Sequence, residues 1–392
     1  MTDRTESVWT NHRLDEVLDL NPRESLPKGI EAPYVGMTAL STDRRWHAAP
    51  ILRATSSGSR FRDGDTLLAK ITPSLENGKT AQVRGLGNGV VGWGSTEFIV
   101  LRAKPGVSDQ NFVYLLARDP AFRDFAIQQM TGTSGRQRVP VESIASFGVS
   151  LPPLEEQRRI AEVLGALDDR IESAARLEKV IGEAVLAEYG VALHVRAEEK
   201  DVPLVDAVSL INGGAYTKGA AGTGRMVIRI KELNSGPSES TVYSSITVPD
   251  NKTAYPGDVL FAWSGSLGVW RWYRDEAIVN QHIFKVLPKK HPVWLGWIHI
   301  LGELERFQDI AAGKATTMGH ITKDHLERTM VPTFSAEELE VLSSRVEPLW
   351  DAQLQAGREL YALQAVRAQL LPALVSGELR VAAVEELVEA VT

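Results

Sequence analysis

Two long stretches of the chain carry apolar residues at helical spacing. The first series consists of Ile160, Leu164, Leu167, Ile171 and Ala174 and, after a stutter, Leu177, Ile181 and Ala184. The second series consists of Leu339, Leu342, Val346, Leu349, Leu360, Leu363, Val366 and Leu370. Spacings of three and four residues place these side chains on one face of an α-helix. The pattern therefore predicts two long amphipathic helices.

Both helices have sequence signals at their beginnings. Pro152 and Pro153 stand where the first helix would start, and proline fits a first turn because amides there have no partner within the helix. We expect this helix over residues 154–188. Ser335 and Glu338 have the S-x-x-E spacing of a capping box, in which each residue satisfies a free amide of the other. The second helix should therefore begin at this box.

The second helix has a proline in its interior and a glycine at its expected end. Pro348 lacks an amide hydrogen and its ring crowds the preceding turn, so a kink or break is expected there. The helix should end near Gly377. Two helices of similar length favour an antiparallel coiled coil. A second interpretation stays open, in which each helix lies on its own domain, because an apolar face does not identify its partner.

Shorter patterns in the rest of the chain predict strands and further helices. Residues 90–103 and 277–288 are rich in β-branched and aromatic residues, and each is followed by a helical pattern, over 111–130 and 293–313. Runs of this kind indicate strands followed by amphipathic helices. The predicted fold class is α+β.

The chain contains an internal duplication. Three strings recur in the same order, namely 14–21 as 204–212, 62–78 as 255–268, and 130–144 as 311–326. Recurrence in one order indicates two copies of a structural unit. We expect a first domain over 1–150, a central helical region over 151–200, a second domain over 201–333 and a C-terminal helical region over 334–392. Gly64-Asp65 and Gly257-Asp258 are typical of turns leading into strands.

Composition narrows the class of protein. A chain of 392 residues can bury two or three cores, and it has neither cysteine nor an apolar run long enough to cross a bilayer. These features are typical of a cytoplasmic protein without disulfides. The net charge of −7 is concentrated in the two helical regions, while the two larger segments are close to neutral. A nucleic-acid partner for those segments therefore remains compatible with the composition.

A search for catalytic motifs finds none. The string at 76–80 resembles the end of a phosphate-binding loop, but Pro73 stands where that motif requires glycine. Pro249-Asp250 with Lys252 lacks the second acid of a metal-dependent nuclease. H-E-x-x-H, G-x-S-x-G and the Asn/Asp-Pro-Pro-aromatic string of amino-methyltransferases are all missing from the sequence. We therefore expect a binding protein without a metal site, not an enzyme.

Two strings resemble a known family. "LPPLEEQRRIAEVLGALDDRI" (151–171) resembles the conserved helical region of the DNA specificity subunits of type I restriction-modification enzymes. "GDTLLAKITPSLENGKTA" (64–81) is similar to a recurrent string in their target recognition domains. The duplicated order of domain, helix, domain, helix is also that family's layout. The resemblance implies two repeated target recognition domains separated by two long helices packed as an antiparallel coiled coil.

The resemblance also implies a division of labour between subunits. The specificity subunit selects a bipartite, interrupted sequence in double-stranded DNA as part of a cytoplasmic host-defence system. Its helices act as a spacer and as a docking surface for two DNA methyltransferase (modification) subunits, and restriction/translocase subunits complete the enzyme. S-adenosylmethionine, ATP and magnesium belong to those partners, with no cofactor and no membrane contact for this chain. A helix over 154–188 would be about 50 Å long at 1.5 Å per residue, enough to space two half-sites.

Polar and basic residues in predicted loops are the candidates for DNA contact. In the first domain they are Lys70, Asn77, Lys79, Arg136 and Arg138; in the second they are Lys218, Arg225, Ser264, Lys314, Thr317 and His320. Arginine can bind a guanine edge through two hydrogen bonds, asparagine an adenine edge, and lysine mostly phosphate. Trp263, Trp270 and Trp272 are expected in the core.

Two other functions remain compatible with the sequence. A specificity subunit of a type IIB-like or solitary methyltransferase would differ only in its partner. A coiled-coil scaffold without a DNA role would bind no duplex even at low salt.

Overall fold

The structure is a computed structural model, and it describes residues 8–133, 135–197, 200–218, 220–238, 240–313 and 319–384. The chain divides into two compact units. Unit 1 comprises Met1–Ser173 with Leu363–Thr392, and unit 2 comprises Ala174–Ala362. Each unit combines one sequence repeat with parts of both long helices. The division into four segments that the sequence suggests stays a prediction.

Unit 1 contains strands and helices in alternation. Its strands are β1 (Thr10–Arg13), β2 (Leu18–Leu20), β3 (Glu31–Val35), β4 (Ile51–Ala54), β5 (Arg60–Phe61), β6 (Thr66–Ala69), β7 (Thr80–Gln82), β8 (Gly92–Gly94), β9 (Phe98–Ala103) and β10 (Gly148–Leu151). Its helices are α1 (Leu14–Val17), α2 (Gln110–Arg118), α3 (Pro120–Gln128), α4 (Val141–Ala145) and the first part of α5 (Leu154–Val195). Two four-stranded sheets form, in the orders β2-β9-β6-β7 and β4-β3-β8-β5.

Unit 2 repeats this order of elements. Its strands are β11 (Asp201–Pro203), β12 (Val208–Asn212), β13 (Arg225–Ile228), β14 (Tyr243–Ser244), β15 (Thr253–Ala254), β16 (Val259–Ala262), β17 (Gly268–Arg271), β18 (Ala277–Val279), β19 (Ile283–Pro288) and β20 (Met330–Pro332). Its helices are α6 (Leu204–Ala207), α7 (Ile230–Ser235), α8 (Val293–Gly302), α9 (Leu304–Ala312), α10 (Lys323–Arg328) and most of α11 (Ala336–Ser376).

The sheets of the two units share one topology, which confirms the duplication. Unit 2 has the orders β12-β19-β16-β17 and β14-β13-β18-β15. In each unit the second sheet contains one parallel pair, β3 with β8 and β13 with β18, while its other pairs are antiparallel. The expected α+β fold class is therefore confirmed.

Strand β6 in unit 1 and strand β16 in unit 2 are buried on both faces. In β6, Leu67 belongs to the cluster that contains Phe61, whereas Leu68 belongs to the cluster that contains Phe112. Neighbouring residues of a strand point to opposite faces, so β6 joins two cores. Each buried leucine stabilises the fold by about 1.5–3 kcal/mol.

Both long helices are present, and their bounds correct two expectations. The first runs over Leu154–Val195, seven residues beyond the expected end at 188, and the second over Ala336–Ser376. Pro348 does not break the second helix; it lies on the exposed side, where the missing amide costs one internal hydrogen bond. The capping box is confirmed, because Ser335 N donates to Glu338 Oε2 at 2.8 Å and Glu338 N donates to Ser335 Oγ at 3.2 Å.

The helices run antiparallel, as predicted. In unit 2, Arg345 approaches Glu188 at 3.6 Å, and Gln353 Nε2 donates to Glu178 Oε1 at 3.1 Å. In unit 1, Arg367 pairs with Asp168. Within unit 2, the later residue on α11, Gln353, contacts the earlier residue on α5, Glu178, so the two helices run in opposite directions.

Some residues of the predicted apolar series do not lie in the seam between the helices. Leu177 is 51% exposed and Val366 is 47% exposed. Gly182 takes a seam position instead, where an added Cβ would lie 2.8 Å from Gln353 Nε2. Because 3.6 residues per turn drifts against a seven-residue repeat, the contacting face moves around a long straight helix. The apolar series therefore identified the helices but not their whole contact.

The two aspartates predicted to form turns do so. Asp65 Oδ2 accepts from Arg62 N at 2.7 Å, and Asp258 Oδ2 accepts from Tyr255 N at 2.7 Å. In both cases the carboxylate accepts from the amide three residues earlier. Each turn delivers the chain into the buried strand of its unit.

Candidate nucleic-acid interface

Three segments of unit 1 meet at the end of β6. Val139 N donates to Lys70 O at 2.9 Å, and Lys70 N donates to Glu97 O at 2.9 Å. Thr72 N donates to Gln137 O at 3.0 Å. We call this meeting point, formed by Lys70–Thr72, Glu97 and Gln137–Val139, the first junction. Backbone bonds of this kind hold the three loops in fixed positions.

Unit 2 contains the same arrangement at the end of β16. Ile321 N donates to Trp263 O at 3.0 Å, Trp263 N to His282 O at 3.3 Å, and Gly265 N to Gly319 O at 2.9 Å. These residues, Trp263–Gly265, His282 and Gly319–Ile321, form the second junction. The two junctions match bond for bond, although their side chains differ.

An ion pair dominates the first junction. Arg138 Nε lies 2.9 Å from Glu97 Oε2, and Arg138 Nη2 lies 2.8 Å from Glu97 Oε1. Hydrogen bonds from Arg138 hold the pKa of Glu97 below its usual range, with the charge of Lys70 acting in the same direction. Arg138 also donates to the carbonyl of Arg136 at 3.2 Å. Most donors of Arg138 are therefore already engaged within the protein.

The other candidates of unit 1 differ in how free their side chains are. Arg136 and Asn77 are exposed, and no hydrogen bond from either side chain reaches another residue in the described part of the chain. Lys79 Nζ instead donates to the Met37 carbonyl at 3.0 Å. Lys70 is half-buried at the junction. Arg136 and Asn77 are thus best placed to bind a partner, while Lys79 supports a loop.

The second junction is aromatic and only weakly charged. Ser264 Oγ lies 3.0 Å from His282 Nδ1. The ring centroid of Trp263 lies 5.7 Å from that of His282 and 6.4 Å from that of His320. Trp263 Nε1 also donates to Asn212 Oδ1 at 3.1 Å. Ser264 and His320, both selected from the sequence, are therefore brought together by an antiparallel bridge.

The remaining candidates of unit 2 lie elsewhere or outside the description. Arg225 lies on β13 in the other sheet, where it pairs with Glu276 and donates to Ile246 O at 2.8 Å. Lys218 lies in an exposed turn. Lys314 and Thr317 fall outside the described residues. Of the four candidates that the structure describes in unit 2, the second junction therefore gathers Ser264 and His320.

The expectation for the three tryptophans holds only in part. Trp272 is buried, with 3% of its surface exposed. Trp270 and Trp263 are half-buried at the edges of cores. Trp263 was expected in the core but lies half-buried at the second junction, directly after the end of β16.

Sequence reasoning missed two residues of the junctions, Glu97 and His282. Glu97 directly precedes β9 and His282 directly precedes β19, whereas the sequence pattern placed both inside predicted strands, over 90–103 and 277–288. The repeat alignment could have found them, since both stand before the strand that pairs with β6 or β16.

Two kinds of site are not found in the described part of the chain. No group of three or more histidine, aspartate or glutamate side chains there is placed to hold a metal ion. No helix among those residues is both long and apolar enough to cross a membrane.

Comparison with known proteins identifies the first half of the chain. Residues 6–182 match the family model described as "Type I restriction modification DNA specificity domain". The resemblance read from the two strings is therefore confirmed, and the first junction lies within the specificity domain.

Two curated relatives match part of the chain. The EcoEI specificity subunit of Escherichia coli is 34% identical over 168 residues, covering 41% of this chain and 27% of the relative. The EcoAI specificity subunit of Escherichia coli is 39% identical over 157 residues, covering 39% of this chain and 26% of the relative. The aligned part thus spans about a quarter of each relative's length.

A solved structure has a similar fold over most of the chain. The S subunit of a type I restriction-modification system from M. genitalium has a TM-score of 0.56 and 14% sequence identity, covering 96% of this chain and 98% of that one. At this identity the likeness concerns the fold alone.

Proposed function

We propose that the chain is the DNA specificity subunit of a type I restriction-modification enzyme. Each unit reads one half of a bipartite, interrupted target, and the chain itself catalyses neither methylation nor cleavage. The observation that carries this proposal is the pair of junctions, which have the same backbone and different polar side chains. Two readers of unlike half-sites need a common scaffold and different reading groups.

Side chains at the second junction and in the loops beside the first junction have the chemistry needed to read base edges. In unit 1, Arg136 offers several donors for guanine, and Asn77 offers a donor and an acceptor for adenine. In unit 2, Ser264, His282 and His320 can each donate or accept. The first junction carries more positive charge in its surroundings, so binding of its half-site should depend more strongly on salt.

The long helices provide a surface for the modification subunits. Exposed acidic residues lie along both helices; they are Glu155, Glu162, Asp169, Glu337, Glu340 and Glu347. Such a surface suits partners with basic residues, here two DNA methyltransferase subunits. S-adenosylmethionine, ATP and magnesium would act on these modification subunits and on restriction/translocase subunits. A solitary or type IIB-like methyltransferase would differ only in these partners.

The test is to reconstitute the chain with the modification subunits of its host and to map methylated adenines. We expect methylation at one interrupted sequence, and no label transfer by the chain alone with S-adenosylmethionine, ATP and magnesium. Methylation without sequence preference, or no duplex binding at low salt even with the partners, would favour a scaffold without a DNA role and refute the proposal.

A further inference from the structure

One arginine joins two loops of unit 1 that are distant in sequence. Arg118 is the last residue of α2. Its Nη1 donates to Gly78 O at 2.8 Å, and its Nη2 donates to Thr42 O at 2.9 Å. Gly78 belongs to loop 72–79 between β6 and β7, and Thr42 belongs to loop 37–46 between β3 and β4. A single guanidinium therefore ties both loops to the end of a helix.

A second cation links the same two loops. Lys79 Nζ donates to Met37 O at 3.0 Å. Both cations donate to backbone carbonyls, so they fix the backbone conformation of the loops. Loop 72–79 leaves the first junction at Thr72, whose amide is bound to Gln137. The loop is thus fixed at its start by the junction and at its end by Arg118 and Lys79.

The two hydrogen bonds of Arg118 hold its positive charge in a buried position, where the charged form is disfavoured. Arg118 Nε is buried and has no hydrogen-bond partner among the described residues. Burial holds the pKa of the Arg118 guanidinium below its usual range. An apolar side chain of similar length would avoid this penalty. The arrangement is understandable if the two carbonyl bonds serve to position the loops.

We propose that Arg118 is a positioning residue for DNA reading by unit 1. It holds loop 72–79, which carries the exposed Asn77, against loop 37–46, and it does not itself touch DNA. The proposal rests on the function proposed above. Groups that read bases must be held to within about 0.5 Å, and irregular loops achieve this only through ties of this kind.

Unit 2 provides an internal comparison. Its helix α8 follows β19 as α2 follows β9, but α8 ends at Gly302. Glycine has no side chain with which to hold neighbouring loops. Arg118 and both carbonyls that it binds lie in unit 1, so a change at Arg118 should affect reading by unit 1 alone.

The experiment measures discrimination separately for the two half-sites. Complexes of the whole chain with its modification subunits are prepared as wild type, Arg118→Met, Arg118→Lys and, as a control, Arg23→Met, which changes an exposed arginine of the same unit. The kcat/KM of adenine methylation is measured on the mapped target and on duplexes with one base pair changed in either half-site. Exchange of residues 1–150 identifies which half-site belongs to unit 1.

We expect Arg118→Met to lower discrimination at the half-site of unit 1 by about tenfold and to leave the other half-site unchanged. Arg118→Lys should recover part of the loss, since lysine can reach one carbonyl. A ratio of two kcat/KM values does not depend on how much complex is active, so partial misfolding would not change it.

Three results would overturn the role of Arg118. Wild-type discrimination in Arg118→Lys is decisive even if Arg118→Met forms no complex, because lysine preserves at most one of the two ties. An equal loss at both half-sites, or the same loss in Arg23→Met, would also overturn it. A wild-type complex that methylates without sequence preference would instead refute the proposed function.

Discussion

The Arg138 guanidinium holds the Glu97 carboxylate through a two-pronged contact, with Nη2 at 2.8 Å from Oε1 and Nε at 2.9 Å from Oε2. The pair joins the segment before β9 to the loop that contains Arg136. An arginine selected as a DNA contact is thereby also a structural element of the first junction. Its partner controls how it is presented.

Replacing Glu97 with glutamine should lower stability in a pH-dependent way. The Arg138 guanidinium keeps the pKa of Glu97 below its ordinary 4.5 in the folded chain. The unfolded state therefore binds a proton first, and the stabilisation is present above pH 4.5 and lost as pH falls through the folded pKa. Urea unfolding of wild type and Glu97→Gln should differ at pH 7, and the two should converge in acid as the pH falls through the lowered pKa of Glu97. A difference that persists unchanged in acid would contradict this assignment.

Replacing Arg136 with alanine should weaken DNA binding without affecting the fold. Arg136 is exposed. If it reads a base, the variant loses about 1–3 kcal/mol on the mapped target and tolerates changes at one position; a phosphate contact would mainly reduce the salt dependence. Binding is measured with modification subunits at several salt concentrations, with Lys28→Ala as an exposed control. Unchanged affinity and salt dependence would remove Arg136 from the interface.

Breaking the buried ion pair between the helices should be costly. The side chains of Asp168 and Arg367 are 4% and 10% exposed. Arg367→Met leaves a buried carboxylate unpaired and should cost about 3–5 kcal/mol in unfolding free energy. The double variant Asp168→Leu/Arg367→Met should recover most of it. Lys179→Met, which removes the exposed ion pair between Lys179 and Glu183, serves as the control. It should change the unfolding free energy little.

The buried histidine pair of unit 2 should make the fold acid-sensitive. Burial lowers the pKa of His299 to about 3, with His291 adding to the effect. Below pH 6.5 the unfolded chain takes up a proton that the folded chain does not, so stability falls as pH falls towards 3. From pH 7 to pH 5 the wild type should lose about 1–2 kcal/mol more than His299→Gln. His194→Gln, at an exposed histidine, should behave as wild type; the same pH slope in all three proteins would contradict the prediction.

Exchange of a whole segment should change specificity in a modular way. Residues 1–150 contain the first junction and all candidate contacts of unit 1. Their replacement by the matching segment of a related specificity subunit should alter one half of the mapped target and preserve the other. Methylation mapping checks this, and a change in both halves would show that the units do not read independently.

Local chemistry allowed much of this protein to be predicted from its sequence. The capping box at Ser335 and Glu338, the turns at Asp65 and Asp258, and the existence of both long helices depend on residues a few positions apart. The duplication was also readable, because strings in the same order preserve the order of elements. The break expected at Pro348 was wrong, because the helix continues through it.

The tertiary structure alone decided which polar groups are available. Arg138 is held by Glu97, 41 positions away, and Lys79 by the carbonyl of Met37, 42 positions away, so neither side chain is as free as its loop position suggested. Leu177 continued the apolar series yet is exposed, since helical drift moves the seam. These outcomes depend on what distant segments bring to the same place. The sequence determined the elements and their order, whereas long-range packing determined which of its cations hold loops and which face outward.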